Sequence, residues 1–253
     1  MYRIISRKAL RVIGLTSIVT LFASSLPTLV LAENTNQTRQ GLPGRRVAAG
    51  SRNPEVAIAG KQLTALVPET NLSLTLAAHP TLFFYVPKSA KPQVVEFVLN
   101  DSNDQLIYEK TFTISGNSGI MSVSIPASAA KPLEIGQNYH WFFSIVRNHD
   151  DRAEDTFVEG WLKRVQPNPN LISQLEKVQP SERVAIYAAN NLWQDALTTL
   201  ADIRHSGLNS AAFEPAWKQL LQSVKLDDIS QEPLLENQSF VQQYSAIPSV
   251  TKE

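Results

Sequence analysis

The sequence predicts a β-rich α+β protein, in which a seven-stranded β-sandwich of the immunoglobulin or fibronectin type is followed by a C-terminal α-helical hairpin region packed on it. Three observations lead to this prediction. Apolar residues alternate with polar ones from residue 72 onward, which is the period of β-strands. Turn clusters such as 100–104 and 115–119 separate short runs, as in a sandwich. From residue 168 the apolar period becomes helical, and no long helical pattern interrupts the strands before it.

Composition excludes several classes of activity. The chain has 253 residues, with 23 Lys+Arg against 23 Asp+Glu, so a broad electrostatic attraction to nucleic acid is not expected. It has no cysteine, which excludes disulfides, thiolate nucleophiles, iron–sulfur clusters and cysteine-ligated zinc. No phosphate-binding loop, dinucleotide-binding glycine pattern or HExxH motif is present, and we predict no cofactor.

The N-terminal segment 1–32 has the layout of a secretory signal peptide. Four basic residues precede an apolar run at 12–31, and small or apolar residues lead to Ala32. We expect cleavage near Ala32 and a periplasmic or extracellular protein. The alternative is an uncleaved membrane anchor, because the run is nearly long enough to span a bilayer. Cleavage would leave 19 basic and 23 acidic residues.

Residues 33–61 read as a flexible polar arm. They are poor in large apolar residues and rich in Asn, Gln, Gly and Arg. A second interpretation is a basic docking arm for an acidic partner or a membrane surface, since five bases gather there. These bases are Arg39, Arg45, Arg46, Arg52 and Lys61.

The sandwich domain is predicted over 62–166. The first strand alternates Leu72, Leu74 and Leu76 with Ser73 and Thr75, so the leucines are expected on the buried face. The seven predicted strands are 72–76, 81–86, 94–99, 106–114, 120–125, 139–146 and 156–165.

A local motif supports a sandwich. The spacing of Leu133, Gly136 and Tyr139 is similar to the tyrosine corner of fibronectin-type domains, in which the tyrosine hydroxyl bonds to backbone upstream. Tyr139 and Trp141 would then point inward.

The opposite face of the last two strands is half apolar, with His140 and Phe142 on one strand and Phe157 and Trp161 on the other. Aromatic residues on such stripes are expected to pack in the protein interior. We therefore expect another part of the chain to cover this face.

Helices are predicted over 167–235, and 236–253 reads as a loose tail. We expect a last helix that starts near Phe213 or Glu214, with Pro215 in its first turn, and two helices before it over 181–189 and 192–204. The first apolar stripe stops at Pro180 and consists of Leu171, Ile172, Leu175 and Val178. The stretch 185–197 is similar to the helix–turn–helix of a tetratricopeptide repeat. Only one such unit is visible, which favours a hairpin packed on the sandwich over a free repeat array.

Candidate chemistry is sparse. The loop 148–155 collects carboxylates, of which Asp150, Asp151, Glu154 and Asp155 form a weak calcium candidate. Arg152 lies among them and the spacing is not that of an EF-hand, so a solvated loop is favoured. A hydrolase using Asp151 and Asp155 is a lesser hypothesis. The residues around His79 and Ser118 are similar to those around the histidine and serine of chymotrypsin-like proteases. Such proteases need two complete barrels around the triad, and these two residues lie within one predicted sandwich, so that interpretation is rejected.

Six stretches, at 41–46, 63–87, 139–145, 158–165, 193–204 and 217–234, resemble a family of exported cyanobacterial proteins described as a domain of unknown function, DUF-928. The resemblance spans about 40–235. It implies an envelope or exported location, and it supplies no catalytic residues.

The leading hypothesis is a non-enzymatic, exported protein that recognises a protein partner of the cell envelope. Binding is expected at the helical surface around Trp193 and Trp217 or at the loop with Asp150, Asp151 and Asp155. Nucleic acid is not expected as a partner, and membrane contact is expected only through an uncleaved signal segment or the basic arm. The alternative is a carbohydrate-binding module that uses exposed aromatic rings.

Overall fold

The computed structural model describes residues 44–48, 60–206 and 210–235. The predicted signal peptide, most of the predicted arm and the predicted tail at 236–253 lie outside the described residues. Among the described residues, no helix combines the length and apolar character needed to cross a bilayer.

The fold is mixed α+β, with two β-sheets and four α-helices among the described residues, and no sheet closes into a barrel. A three-stranded sheet has the order β1-β3-β6, and a five-stranded sheet has the order β2-β8-β7-β4-β5. The strand β2 runs parallel to β8, whereas all other neighbours are antiparallel. The strands are β1 Thr64–Ala65, β2 Leu72–Thr75, β3 Thr81–Val86, β4 Gln93–Asn100, β5 Leu106–Ile114, β6 Gly119–Ser124, β7 Asn138–Val146 and β8 Thr156–Arg164.

The two sheets pack face to face around one hydrophobic core. Phe84 of β3 stacks on Phe143 of β7, with ring centroids 4.2 Å apart, and meets the edge of Trp141 at 5.5 Å. All three side chains are fully buried. Such aromatic contacts add to the free energy of burial and fix how the sheets are aligned. Gly160 on β8 makes room for Trp141, because a Cβ atom there would lie 2.5 Å from the indole ring.

Tyr139 joins the start of β7 to the chain before it. Its hydroxyl oxygen accepts a hydrogen bond of 2.8 Å from the backbone amide of Glu134. The side chain of Arg164 donates to the carbonyl oxygen of Leu133 at 2.8 Å, on the same connection. Leu133 and Tyr139 are both buried. These contacts fix the segment that crosses from the three-stranded sheet to the five-stranded one.

The strand β2 presents the opposite face from the one predicted. Ser73 and Thr75 are buried, whereas Leu72 and Leu74 are half-buried and lie opposite Trp161 and Lys163 of β8. Ser73 lies beside Leu162 of β8 and therefore on the side of the shared core, and α3 also packs along β2. Short hydroxyl side chains fit on that side, and larger leucines do not have to be accommodated there.

The four helices are α1 Pro169–Glu176, α2 Pro180–Ala189, α3 Trp193–Ser206 and α4 Ser210–Gln222. A helical hairpin, α2–α3, is therefore extended by a helix on each side. Asn168 caps α1 by accepting the Leu171 amide at 2.7 Å, but Ile172 of its predicted stripe is 40% exposed. The helix α4 begins at Ser210, before the predicted start near Phe213 or Glu214, so Pro215 lies inside the helix and not in its first turn.

The helices cover the outer face of the three-stranded sheet. Phe83, Tyr85 and Ile120 on that sheet form a second core with the helices and with a short 3-10 turn at Asp227–Ile229. The chain then returns to the sheet, where Leu234 pairs with Ile120. The prediction of a helical cover arose from the outer face of β7 and β8, and the structure places the cover on the other sheet.

Candidate functional site

The outward side chains of β7 and β8 form a half-buried surface that we call the aromatic face. The strand alternation places these residues on one side of the five-stranded sheet, away from the shared core. The described helices make their main sheet contacts with β2 and β3 instead. The aromatic face consists of His140, Phe142, Ser144, Phe157, Glu159 and Trp161.

His140 lies at the centre of this face. Its ring is parallel to that of Trp161, with centroids 4.3 Å apart, and tilted against Phe142 at 4.2 Å. Its Nε2 atom lies 3.2 Å from Oε2 of Glu159. Burial lowers the pKa of His140, and the charge of Glu159 opposes that shift. The stack therefore favours a neutral imidazole beside a carboxylate.

Arg45 extends the aromatic face along the edge of β8. Its backbone pairs with Glu159 through hydrogen bonds of 3.1 and 2.9 Å. Its guanidinium lies over the ring of Phe157, 4.6 Å from the centroid, in a cation–π contact. The polar surroundings of the aromatic rings thus include both a cation and an anion.

Three of the five bases proposed for a docking arm are described, and each has a partner within the fold. Besides Arg45, Arg46 donates to the carbonyl oxygen of Val224 near the end of α4 at 2.6 Å. Lys61 forms an ion pair with Glu232. Arg39 and Arg52 lie outside the described residues. Residues 45, 46 and 61 therefore do not form a free basic arm.

The carboxylates of the loop 148–155 are engaged separately. Asp151 caps a 3-10 turn at Arg152–Glu154 by accepting the Ala153 amide at 3.0 Å. Asp155 accepts the Arg147 amide at 3.0 Å and forms an ion pair with Arg152. Arg152 also bonds to Glu96 of β4 at 2.7 Å, and these partners raise its pKa.

The calcium candidate does not assemble in the described part of the chain. No group of three or more His, Asp or Glu side chains there is arranged to hold a metal ion. Asp150, Asp151, Glu154 and Asp155 are consequently not brought together as a ligand set. The physical reason is that backbone amides and Arg152 take up the carboxylates of Asp151 and Asp155.

Trp193 and Trp217, which the sequence suggested for partner binding, lie in the second core. They are 6% and 2% exposed. The indole N–H of Trp193 donates to the Leu66 carbonyl at 2.9 Å, and that of Trp217 donates to the Ser230 carbonyl at 3.0 Å. Their side chains hold the helices on the sheet and do not line a binding surface.

Sequence reasoning did not single out Asp195 at the start of α3. Its carboxylate accepts the backbone amide of Leu76, just beyond the end of β2, at 3.0 Å. Burial raises the pKa of Asp195 to about 6, although the bonds from Leu76 and Thr75 oppose the shift. The only local signal is an acidic residue in the first turn of a helix, which is too common to indicate a contact with a distant strand.

The family model described as Domain of Unknown Function (DUF928) matches residues 47–234, a span that includes all eight strands and all four helices. The chain belongs to this family. The match confirms the family resemblance seen in the sequence. Cyanobacterial origin and export, which that resemblance also implied, stay predictions. No curated protein matches the chain.

Proposed function

We propose that this DUF928 protein is an exported, non-enzymatic recognition protein of the cell envelope, and that its aromatic face binds a protein partner. The observation that carries the proposal is the cluster of His140, Phe142 and Trp161 on a sheet face away from the main contacts of the four described helices. Aromatic and arginine side chains among a few polar groups are the composition enriched at protein interfaces.

We infer that the sandwich is of the immunoglobulin type. In that fold the strands A, B and E lie in one sheet and C, F and G lie in the other. Here β1, β3 and β6 take the first set of places, and β4, β7 and β8 take the second. Protein recognition on an outer sheet face is a common use of such sandwiches, which is an argument from analogy of fold.

The geometry of the rings favours a protein over a glycan. Sugars stack on the flat face of an aromatic ring that is open to solvent. Here one face of Trp161 is covered by His140, and a face of Phe157 is covered by Arg45. The surface therefore combines partly covered rings with charged groups in a mixed patch, which suits side chains and backbone of a protein partner better than a sugar plane.

The geometry of the acidic loop also speaks against the hydrolase alternative. An acid and a base in a glycosidase must both be directed at the substrate. Asp151 and Asp155 instead accept backbone amides of their own loop. We propose that this loop supports the end of the sheet and carries no chemistry.

A photocrosslinking experiment tests the proposal. A photoreactive phenylalanine analogue would replace Ser144 on the aromatic face, in the cells that make the protein. The matched control would place it at Ile172, which is exposed on α1. We expect a discrete adduct with one protein from position 144 only, lost when Trp161→Ala is added. Equal adducts at both positions, or no adduct from a folded chain at position 144, would contradict the proposal.

Export is tested separately, by determining the N-terminal residue of the protein in each cell fraction. We expect mass spectrometry to find a chain beginning at Glu33 in the periplasmic or extracellular fraction, because the signal-peptide pattern ends at Ala32. A full-length chain beginning at Met1 and confined to the cytoplasmic fraction would overturn the exported part of the proposal. A full-length chain in the membrane fraction would instead identify residues 12–31 as an anchor.

A further inference from the structure

A groove of about 370 Å³ lies between α2 and α3, on a part of the protein that the proposed function does not use. Helical spacing creates it: residues four apart on α2 and three to four apart on α3 project into the same space. Its size lies in the lower part of the range for small-molecule sites. The polar side chains that line it are Arg183, Tyr187, Thr199, Asp202 and Ser206.

The groove contains two opposite charges that are not paired with each other. Arg183 projects from α2 and Asp202 from α3. Among the ion pairs of the described residues, none includes either side chain. The Nε atom of Arg183 is buried and has no hydrogen-bond partner in the described part of the chain. A buried donor without a partner is costly, and because Arg183 lines the groove, a ligand there would meet the rest of its guanidinium and not Nε.

Asp202 lies at the open side of the groove, where the residue is exposed, and Tyr187 is half-buried. Burial raises the pKa of Asp202, and the nearby His205 lowers it in part. Burial also raises the pKa of Tyr187, to which Asp195 adds and which Arg183 opposes. Charged hydrogen bonds to a ligand are stronger in such a place than in water.

We propose that this groove binds a short zwitterionic peptide, with its carboxylate on Arg183 and its ammonium group on Asp202. The planar guanidinium matches a carboxylate through two parallel hydrogen bonds. The hydroxyl of Thr199 donates to the Asp195 carbonyl at 2.8 Å, so its oxygen accepts from a peptide N–H. The phenol of Tyr187 adds a group that both donates and accepts. This site is independent of the aromatic face.

End-blocked peptides test the proposal on the unaltered protein. Trialanine would be titrated by NMR or calorimetry, alongside trialanine amide, N-acetyl-trialanine and the doubly blocked peptide. We expect each single block to weaken binding by about 10–100-fold, because it removes one charged hydrogen bond. Absence of saturable trialanine binding up to about 10 mM, or equal binding of all four peptides, would overturn the proposal.

Two variants then assign the ends. With Arg183→Gln, trialanine and its amide should bind with equal affinity, while N-acetylation still weakens binding. With Asp202→Asn, trialanine and N-acetyl-trialanine should bind with equal affinity, while amidation of the C-terminus still weakens binding. Lys218→Gln, at an exposed position of α4, is the matched control and should bind as the wild type does. If Arg183→Gln leaves the discrimination between acid and amide intact, the assignment is wrong. The NMR spectrum of each variant reports whether its fold is retained.

Discussion

The outer faces of the two sheets differ in what packs on them, and this difference is visible in the order of buried and half-buried residues along their strands. On β3 every residue from Leu82 to Val86 is buried, because the core lies on one side and the helices on the other. On β7 buried residues alternate with His140 and Ser144. A strand covered on both faces reads as a continuous apolar run, whereas ionisable and hydroxyl side chains lie among aromatic ones on the face away from the four described helices.

The largest loss of stability is expected from a substitution in the second core, beneath the helices. Trp217→Ala should lower the free energy of unfolding by about 3–5 kcal/mol, because it empties a buried site and leaves the Ser230 carbonyl without its donor. Urea denaturation followed by circular dichroism measures this. Ile172→Ala on the exposed side of α1 is the control, with an expected change within about 0.5 kcal/mol. A loss below about 1 kcal/mol for Trp217→Ala would mean that the helices do not depend on this contact.

Asp195 makes the attachment of the helices sensitive to pH. Its pKa is raised to about 6 in the folded protein, so the native state keeps a proton that the unfolded chain loses between about pH 4 and 6. Folding stability contributed by this residue should therefore fall as pH rises through that window and stay constant above it. The expected loss is about 2–3 kcal/mol.

The measurement is the difference in unfolding free energy between the wild type and Asp195→Asn at several pH values. Asparagine cannot ionise, and its oxygen still accepts the Leu76 amide. Taking the difference cancels the titration of all other groups that behave alike in both proteins. A difference that does not change between pH 4 and 7 would show that the carboxylate is solvated.

Gly160→Ala probes the core that both sheets share. The new Cβ atom would lie 2.5 Å from Trp141, so the indole must shift or the strands must separate. We expect a loss of about 1–3 kcal/mol in unfolding free energy and a changed tryptophan fluorescence spectrum. Ser144→Ala, outward on the neighbouring strand, should change stability by less than about 0.5 kcal/mol. Equal stability of the two variants would place Trp141 elsewhere.

The smallest effect is expected on the aromatic face. Phe142→Ala should cost about 1 kcal/mol, since the ring is only half-buried. The matched variant Phe83→Ala, under the helices, should cost about 3–5 kcal/mol. If both cost the same in thermal or urea unfolding, then the aromatic face is covered in solution. Sedimentation would show whether a second copy of the chain covers it.

Much of the strand layout was predictable, because alternation is a local property. The predicted limits of β3 and β5 agree with the structure at both ends, and those of the other five strands agree within a residue or two. The two residues of β1, Thr64–Ala65, are too short to show a period. The buried face of β2 differs from the predicted one, because its pairing with β8 puts Ser73 beside Leu162 of the shared core, and that pairing joins residues far apart in the chain.

The candidate site was predictable only in part. Alternation placed His140, Phe142 and Trp161 on one face, but it did not say which sheet the helices would cover. The sequence predicts partner binding near the tryptophans of the helices, since an apolar stripe on a helix looks the same whether a sheet or another protein packs on it. Trp193 and Trp217 are instead buried within this chain.

The parallel pairing of β2 with β8 has a consequence for how the protein is made. Leu72 leaves the ribosome well before Trp161, its partner on β8, and Arg45 leaves still earlier than Glu159. The edge of the five-stranded sheet, where β2 meets β8, is therefore completed only when β8 has been synthesised. Until then β2 lacks its partner strand, so the incomplete chain exposes a strand edge that the finished protein covers.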